Sequence, residues 1–227
     1  MTNIKDTMEK PLAENNGSPS VSRRRFLSYA GAASGLLLVG AACKKNDEGV
    51  NLGSGDTGIL NYAYALEQLE AAFYIKVVAS PYSGMTAVET AFLTDIRDHE
   101  IAHREFFKKV LGGNAIPDLE VDFSTINFAS RDSVLGTARA FEDLGVSAYD
   151  GAGYLLKDAN NLLLAGKIVS VEARHAAILR ELSTPNTFLG DQVDNSSVNI
   201  SRTPSEVLAI AGPYIKTKLN ANNLPTG

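Results

Sequence analysis

The chain has 227 residues, with 26 acidic against 21 basic side chains, a formal net charge of −5, and a single cysteine. This length fits one domain plus a targeting segment, one cysteine excludes a disulfide framework within the chain, and the acidic balance gives no electrostatic basis for binding nucleic acid. Trp is absent, and the long amphipathic stretches lack the alternation expected of strands, which indicates an all-α protein.

The first 43 residues have the layout of an export signal. The basic segment Ser22-Arg23-Arg24-Arg25-Phe26-Leu27 precedes an apolar run from Ser28 to Ala42, which is shorter than the ~20 residues that a membrane-spanning helix needs. The pattern Ser-Arg-Arg-x-Phe-Leu resembles the twin-arginine signal, an address that directs folded proteins across the bacterial inner membrane. The sequence therefore predicts an exported protein that is periplasmic or anchored to the envelope.

Cys43 follows Gly40-Ala41-Ala42 at the end of the apolar run. This arrangement resembles the lipidation site of bacterial lipoproteins, which implies a lipid anchor on Cys43. Gly40 departs from that pattern, which prefers a larger aliphatic residue, and the alternative is ordinary cleavage near the Ala pair. Cleavage before Cys43 would remove five positive and three negative charges and take the net charge from −5 to −7. Residues 44–56 are polar and Gly-rich and predict a flexible tether.

Caps and breakers in the rest of the chain predict four long helices, at about 57–79, 85–111, 131–156 and 161–182. Residues 112–130 show no sustained helical period and are long enough to cross the length of a bundle; residues 121–123 read as briefly extended, but no sheet is predicted. Beyond the bundle (57–183), the segment 184–227 reads as a loop and one short helix that begins at Thr203-Pro204 and is interrupted at Gly212-Pro213. The residues from Asn220 onwards look loose.

A Glu-x-x-His pattern occurs twice, at Glu100 with His103 and at Glu172 with His175. Residues three apart lie on one face of a helix. Alone, such a pair is common by chance and is more often a surface feature than a ligand set.

The repeat extends upstream, where residues 65–74 align with residues 140–149. Each segment has a Glu, a Leu two residues later and a Tyr seven residues later, which gives the pairs Glu67 with Tyr74 and Glu142 with Tyr149. Seven residues make two helical turns, so each Glu faces the same way as its Tyr. Each half of the protein thus reads as one helix with an inward Glu followed by one helix with Glu-x-x-His.

Two further residues compete for the same role. Glu70 shares the helical face of Glu67, but it aligns with Gly145, whereas Glu67 aligns with Glu142; the repeat favours Glu67 as a ligand and leaves Glu70 as an interior carboxylate beside it. His99 lies about 100° around the helix from its neighbour Glu100 and has no partner in the second half. We therefore expect an exposed or packing histidine there.

This set of residues resembles the ferritin-like proteins. The stretch from Ile168 to Leu182 especially resembles a bacterial ferritin-like family related to desiccation-associated proteins, and the likeness covers roughly Thr57 to Ser183. The resemblance implies a ferritin-like four-helix bundle in which a long crossover joins two helical hairpins.

The resemblance also implies two metal ions held by six residues. Glu100 and Glu172 would bridge the ions, Glu67 and Glu142 would be terminal ligands, and His103 and His175 would each cap one ion. Tyr74 and Tyr149 would lie beside the carboxylates and orient them. Carboxylate and imidazole ligands suit both iron and manganese.

Three functions follow as hypotheses. The leading one is a di-iron centre that oxidises Fe(II) with dioxygen or peroxide; the second is a di-manganese centre that dismutates hydrogen peroxide as manganese catalases do. The third is a non-enzymatic helical bundle with a protective role at the envelope. In that case buried salt bridges would have to compensate the carboxylates, and four arginines are candidates: Arg97, Arg104, Arg139 and Arg174. The sequence leaves the oligomeric state and cage assembly open.

Overall fold

The computed structural model of the protein describes residues 48–226. The predicted export signal (1–43), with Cys43, and the first residues of the predicted tether lie outside the described residues. No helix in the described part of the chain combines the length and the apolar composition needed to cross a membrane.

Four long helices form the body of the protein: α1 (Gly55–Ala79), α2 (Ala87–Leu111), α3 (Arg131–Gly153) and α4 (Ala159–Ser183). Helix α1 packs chiefly against α2, and α3 chiefly against α4. The segment 115–130 connects these two hairpins. The prediction of an all-α protein with two helical hairpins joined by a long crossover is confirmed.

Polar side chains set where the helices begin. Thr86 and Glu89 form a reciprocal capping box at the start of α2, so this helix begins at Ala87 rather than at the predicted residue 85. The side chain of Asp158 accepts from the backbone N–H of Asn160, and α4 consequently begins two residues earlier than predicted. Helix α3 ends at Gly153, three residues before the predicted end.

Helix α1 is buried on nearly all sides, and two of its polar residues hold the crossover in place. The side-chain carbonyl of Asn61 accepts from the N–H of Ile116 at 2.9 Å, and that of Gln68 accepts from the N–H of Leu119 at 2.8 Å. Asn61 and Gln68 lie two helical turns apart, on one face of α1. They satisfy backbone groups of a segment that is irregular apart from an isolated bridge between Val121 and Ile215.

A short parallel pair of strands joins the two ends of the described chain. Strand β1 (Val50–Asn51) pairs with β2 (Leu219–Asn220), and Leu52 next to it is fully buried. The prediction of no sheet is therefore wrong. Of the predicted tether over residues 44–56, residues 50–51 form β1 and residues 55–56 begin α1. Asn220, where the loose end was predicted to begin, is buried. These pairings join residues far apart in the sequence, so local composition gives no sign of them.

The C-terminal segment packs along α3 through one glycine. A Cβ on Gly151 would lie 1.8 Å from the backbone oxygen of Arg202, and the N–H of Arg202 donates to the carbonyl of Ser147 at 3.0 Å. The lack of a side chain at Gly151 therefore allows the backbone of Arg202 to pack directly against α3. From there the chain forms helix α5 (Pro204–Ala211) and a 3₁₀ turn (Gly212–Tyr214), in agreement with the predicted short helix and its interruption.

Candidate metal centre

Six acidic and imidazole side chains meet in the interior of the bundle, midway along the four long helices. All four carboxylates are fully buried, and both imidazoles are nearly so. Helices α1 and α3 contribute one Glu each, and α2 and α4 contribute one Glu and one His each: Glu67, Glu142, Glu100, His103, Glu172 and His175.

These side chains form two overlapping groups of four. One group contains Glu67 and His103, the other contains Glu142 and His175, and Glu100 and Glu172 belong to both. Within each group, one oxygen or nitrogen atom from every residue lies within 4.8 Å of the others. Each group therefore has the composition and the spacing to hold one metal ion, and the two share a pair of carboxylates.

The imidazole contacts repeat across the two groups. His103 Nδ1 lies 2.8 Å from Glu172 Oε1 and 3.4 Å from Glu67 Oε2. His175 Nδ1 lies 3.0 Å from Glu100 Oε1 and 3.2 Å from Glu142 Oε2. In both groups the Nδ1 atom thus lies near one of the two shared carboxylates and near the carboxylate that belongs to that group alone.

Several of these atoms lack a hydrogen-bond partner although they are fully buried. They are Glu67 Oε2, both oxygens of Glu100, both oxygens of Glu172, and His103 Nδ1. The short distances around His103 therefore do not have hydrogen-bond angles. Leaving a buried polar group unpaired costs about 1–3 kcal/mol, and more when it is charged, so the cluster is a set of converging lone pairs that cations would satisfy.

Two tyrosines hold the terminal carboxylates, each from the opposite half of the chain. The hydroxyl of Tyr74 donates to Glu142 Oε1 at 2.6 Å, and that of Tyr149 donates to Glu67 Oε1. Burial, reinforced by the neighbouring carboxylate, raises the pKa of each phenol well above its ordinary value. Both tyrosines therefore remain protonated donors that fix one carboxylate oxygen and leave the other facing the cluster.

Burial also dominates the ionisation of the metal-free cluster. It raises the pKa of Glu67 to about 7, although the imidazole of His103 opposes this rise. For His175, burial disfavours the charged ring, but Glu142 and Glu100 outweigh it and raise the pKa to about 11. Burial also disfavours the charged ring of His103, but Glu67, Glu100 and Glu172 outweigh it and raise its pKa well above the ordinary value. Two positive rings therefore face four carboxylates and can offset at most half of their negative charge.

A fifth carboxylate, Glu70, lies beside the cluster but belongs to neither group. Glu70 is buried beside Gly145, where a Cβ would lie 3.2 Å from Glu70 Oε1 and 3.8 Å from Glu172 Oε2. Burial, together with Glu142, Glu100 and Glu172, raises its pKa well above the usual range. The absence of a side chain at 145 leaves room for the fifth carboxylate.

His99 is exposed and packs against another ring, as predicted, but its hydrogen bond to His175 was not predicted. Its Nδ1 lies 2.8 Å from His175 Nε2, and the two rings are stacked with centroids 5.1 Å apart. With Nδ1 of His175 turned to the carboxylates, its Nε2 is left to bond His99. Only the adjacency of His99 to Glu100 pointed here, and because the second half has no counterpart the repeat gave no support.

The arginines that could have compensated the carboxylates do not do so in the described part of the chain. Arg97 pairs with Asp98, Arg104 with Glu105, and Arg174 bonds the backbone of Ser170. These are contacts to neighbours on the same helix. Within residues 48–226, none of the four arginines forms an ion pair with the six residues of the cluster.

The family model for the ferritin-like domain matches residues 55–185, which is more than half of the chain and covers all four long helices. The chain belongs to the ferritin-like family. A search of the curated proteins found no significant match. The predicted membership of the ferritin-like superfamily is therefore confirmed, and this ferritin-like bundle carries a buried Glu and His cluster that could hold a metal.

Proposed function

We propose that this ferritin-like protein binds two iron ions in its bundle and oxidises Fe(II) with dioxygen or peroxide. The observation that carries the proposal is the set of buried carboxylate oxygens that have no hydrogen-bond partner and converge in two groups sharing Glu100 and Glu172. The two imidazoles offset only part of the charge, and each buried oxygen without a hydrogen bond destabilises the folded state, a cost that bound cations would remove.

The charge of the cluster fits two divalent cations. Its four carboxylates carry four negative charges, and two divalent ions carry four positive ones. Glu100 and Glu172 would bridge the ions because both groups include them, Glu67 and Glu142 would each bind one ion, and the two histidines would complete the sets. Carboxylate oxygens and imidazole nitrogens are ligands that iron and manganese accept.

When bound, an iron pair would supply two electrons, enough with two protons to reduce dioxygen to hydrogen peroxide or hydrogen peroxide to two water molecules. The protein's own part is positional. Tyr74 and Tyr149 hold the terminal carboxylates by hydrogen bonds, His99 fixes the outer nitrogen of His175, and the buried bundle excludes bulk water from the cluster.

The direct test is rapid mixing of Fe(II)-loaded protein with dioxygen and, separately, with hydrogen peroxide. We expect Fe(III) to form faster than in protein-free buffer, with one molecule of oxidant consumed for every two Fe(II) ions oxidised. Glu172→Ala should abolish the acceleration, and the matched control Glu105→Ala, an exposed residue of α2, should not. Retention of manganese with peroxide dismutation would favour the catalase-like function instead. A chain that retains neither metal would contradict the proposal and favour the protective, non-enzymatic role.

Export to the envelope is proposed from residues 22–43 of the sequence. Replacing both Arg23 and Arg24 by Lys should leave the protein in the cytoplasm if the twin-arginine pattern is read. Cys43→Ala should move the exported protein from the detergent phase to the aqueous phase, and an unchanged partition would contradict the lipid anchor. The likeness of residues 168–182 to the desiccation-associated branch supports a stress-related setting.

A further inference from the structure

A small apolar cavity lies beside the candidate metal centre. Small side chains leave the space open, with Ala63 on α1, Ala148 and Ala152 on α3, and Ala165 on α4. Phe107 and Tyr149 also line it. The four helices thus leave a gap where larger residues would have filled the core.

One aromatic ring separates this cavity from the carboxylates. The ring of Tyr149 lines the cavity, while its hydroxyl donates to Glu67. Phe107, one helical turn after His103, packs alongside that ring with centroids 6.4 Å apart. Leu66, the neighbour of Glu67 in the chain, also lines the space. A molecule in the cavity would therefore lie next to the residues that hold one of the two metal groups.

The lining selects against polar molecules. Almost all of the surface that faces the cavity is carbon. A molecule with hydroxyl groups, such as water or hydrogen peroxide, would lose its hydrogen bonds on entry, at a cost of several kcal/mol in apolar surroundings. Dioxygen makes no such bonds and enters without that penalty. Enclosed apolar cavities stay dry and take up xenon, so xenon is a suitable probe for this space.

The size of the space excludes a chain-like substrate. The cavity volume is about 20 Å³, and ~10–15 Å³ is enough to hold one water molecule. The rim residues Leu60, Gly153 and Ala165 are half-buried, and Leu162 and Leu163 beside them are exposed. The entrance is therefore apolar and reaches the protein surface.

We propose that this cavity is a dioxygen site that supplies the metal centre, and that the centre uses dioxygen in preference to peroxide. This inference rests on the proposed iron chemistry, and it deepens it by naming the oxidant and its route. Tyr149 both lines the cavity and holds Glu67, so the oxidant would arrive at the group that contains Glu67 and His103.

The first test is xenon binding to the metal-free protein, by crystallography under xenon pressure. We expect one xenon atom between Ala152 and Tyr149. An empty cavity, or one filled by an acyl chain carried through purification, would overturn the proposal. This measurement needs no iron and is independent of the proposed function.

The second test blocks the entrance at the rim. Ala165→Phe should slow Fe(II) oxidation by dioxygen about tenfold, a barrier increase of ~1.4 kcal/mol, and leave oxidation by hydrogen peroxide within about twofold. Ala177→Phe is the matched control, because Ala177 is also half-buried on α4 but lines a different cavity, beside Asp143 and Arg180; it should change neither rate. If both oxidants slow equally, or neither slows, the dioxygen route is wrong. Failure of the unmodified chain to bind Fe(II) would instead overturn the proposed function.

Discussion

At the residue scale, the two imidazoles of the cluster differ in what lies behind them. His175 has His99 stacked on it and bonded to its Nε2. The equivalent of His99 in the second half is Val171, whose side chain cannot make this bond to His103. The two metal groups match in their ligand types and differ in this support, so we expect them to bind with unequal affinity.

Replacing His99 should weaken one metal ion selectively. His99→Phe keeps an aromatic ring against His175 but removes the hydrogen bond, and loss of such a partner costs ~10–100-fold in metal affinity. A stepwise anaerobic titration with Fe(II) or Co(II) should show one of two binding steps weakened by that factor and the other unchanged. Glu105→Gln on the same helix is the control. Equal weakening of both steps would mean that His99 acts on the fold as a whole.

Glu67 and Glu70 should separate cleanly by substitution. Glu67 belongs to a ligand group and Glu70 to neither, so Glu67→Gln should lower the iron bound per chain, whereas Glu70→Gln should leave it unchanged. Elemental analysis after desalting measures the iron bound per chain in each variant. The reverse pattern would reassign the ligand to Glu70.

The stability of the metal-free protein gives a second measure of Glu70. Burial and the surrounding carboxylates raise its pKa well above the usual 4.5, so its contribution to folding is favourable below that pH and is lost as pH rises. We therefore expect Glu70→Gln to melt at a higher temperature than the unmodified chain at neutral pH, with the difference vanishing towards pH 4. A difference independent of pH would contradict a buried acid at this position.

At the scale of elements, one glycine allows the C-terminal segment to lie on α3. Gly151→Ala would place a methyl carbon 1.8 Å from the backbone of Arg202, and such overpacking costs about 1–3 kcal/mol. Gly136→Ala on the same helix meets nothing within 4 Å and should stabilise the protein by up to ~1 kcal/mol, because Ala favours helix over Gly. In chemical denaturation, the free energy of unfolding should therefore fall for Gly151→Ala and rise for Gly136→Ala. A change of the same sign in both variants would show that the contact with Arg202 is not tight.

The start of α2 is tied to the other hairpin. Glu89 caps α2 through Thr86 and accepts from Arg131 Nε at 2.6 Å, and Arg131 also donates to the carbonyl of Leu182. Despite some burial, which acts in the opposite direction, these bonds lower the pKa of Glu89 to about 2. Its contribution is therefore present above pH 4.5 and is lost as pH falls towards 2.

Removing that carboxylate should cost more than removing its counterpart on α5. Glu89→Ala should destabilise the protein by about 2 kcal/mol at pH 7, the upper end of the range for a helix cap, because it also unpairs Arg131. Glu206→Ala, in the exposed capping box of α5, should cost less than about 1 kcal/mol. Denaturation at pH 7 and pH 3 measures both. Equal costs at pH 7 would show that the bond between Glu89 and Arg131 contributes nothing.

The sequence predicted the four long helices and the residues that the structure gathers at their centre. The duplicated pattern gives the spacing of these residues along each helix and the helix face that they share. It could not predict that Tyr74 bonds Glu142 and Tyr149 bonds Glu67, since a repeat describes each half separately and these bonds cross between halves. The pairing of Val50 with Leu219 was missed for a related reason. Contacts between distant segments depend on how the helices pack, which local periodicity does not encode.

At the scale of the whole molecule, metal binding and folding should be coupled. The cluster places four carboxylates in the core of the bundle, and cations that bind only the folded chain stabilise it by mass action, by ~2.7 kcal/mol at a hundredfold excess over the dissociation constant. Two ions shared by all four helices would tie both hairpins together. The metal-free protein keeps the unpaired oxygens and loses this stabilisation.

The number of metal ions bound per folded chain is the decisive measurement for the proposed metal pair. Anaerobic titration of the metal-free protein with Fe(II), followed by desalting and elemental analysis, should give two ions per chain, and the melting temperature should rise until the second equivalent is bound. Glu172→Ala, which removes a carboxylate common to both groups, should reduce the ratio to one or below. A chain that binds no iron, or a Glu172→Ala variant that still binds two ions, would show that these buried carboxylates do not hold a metal pair.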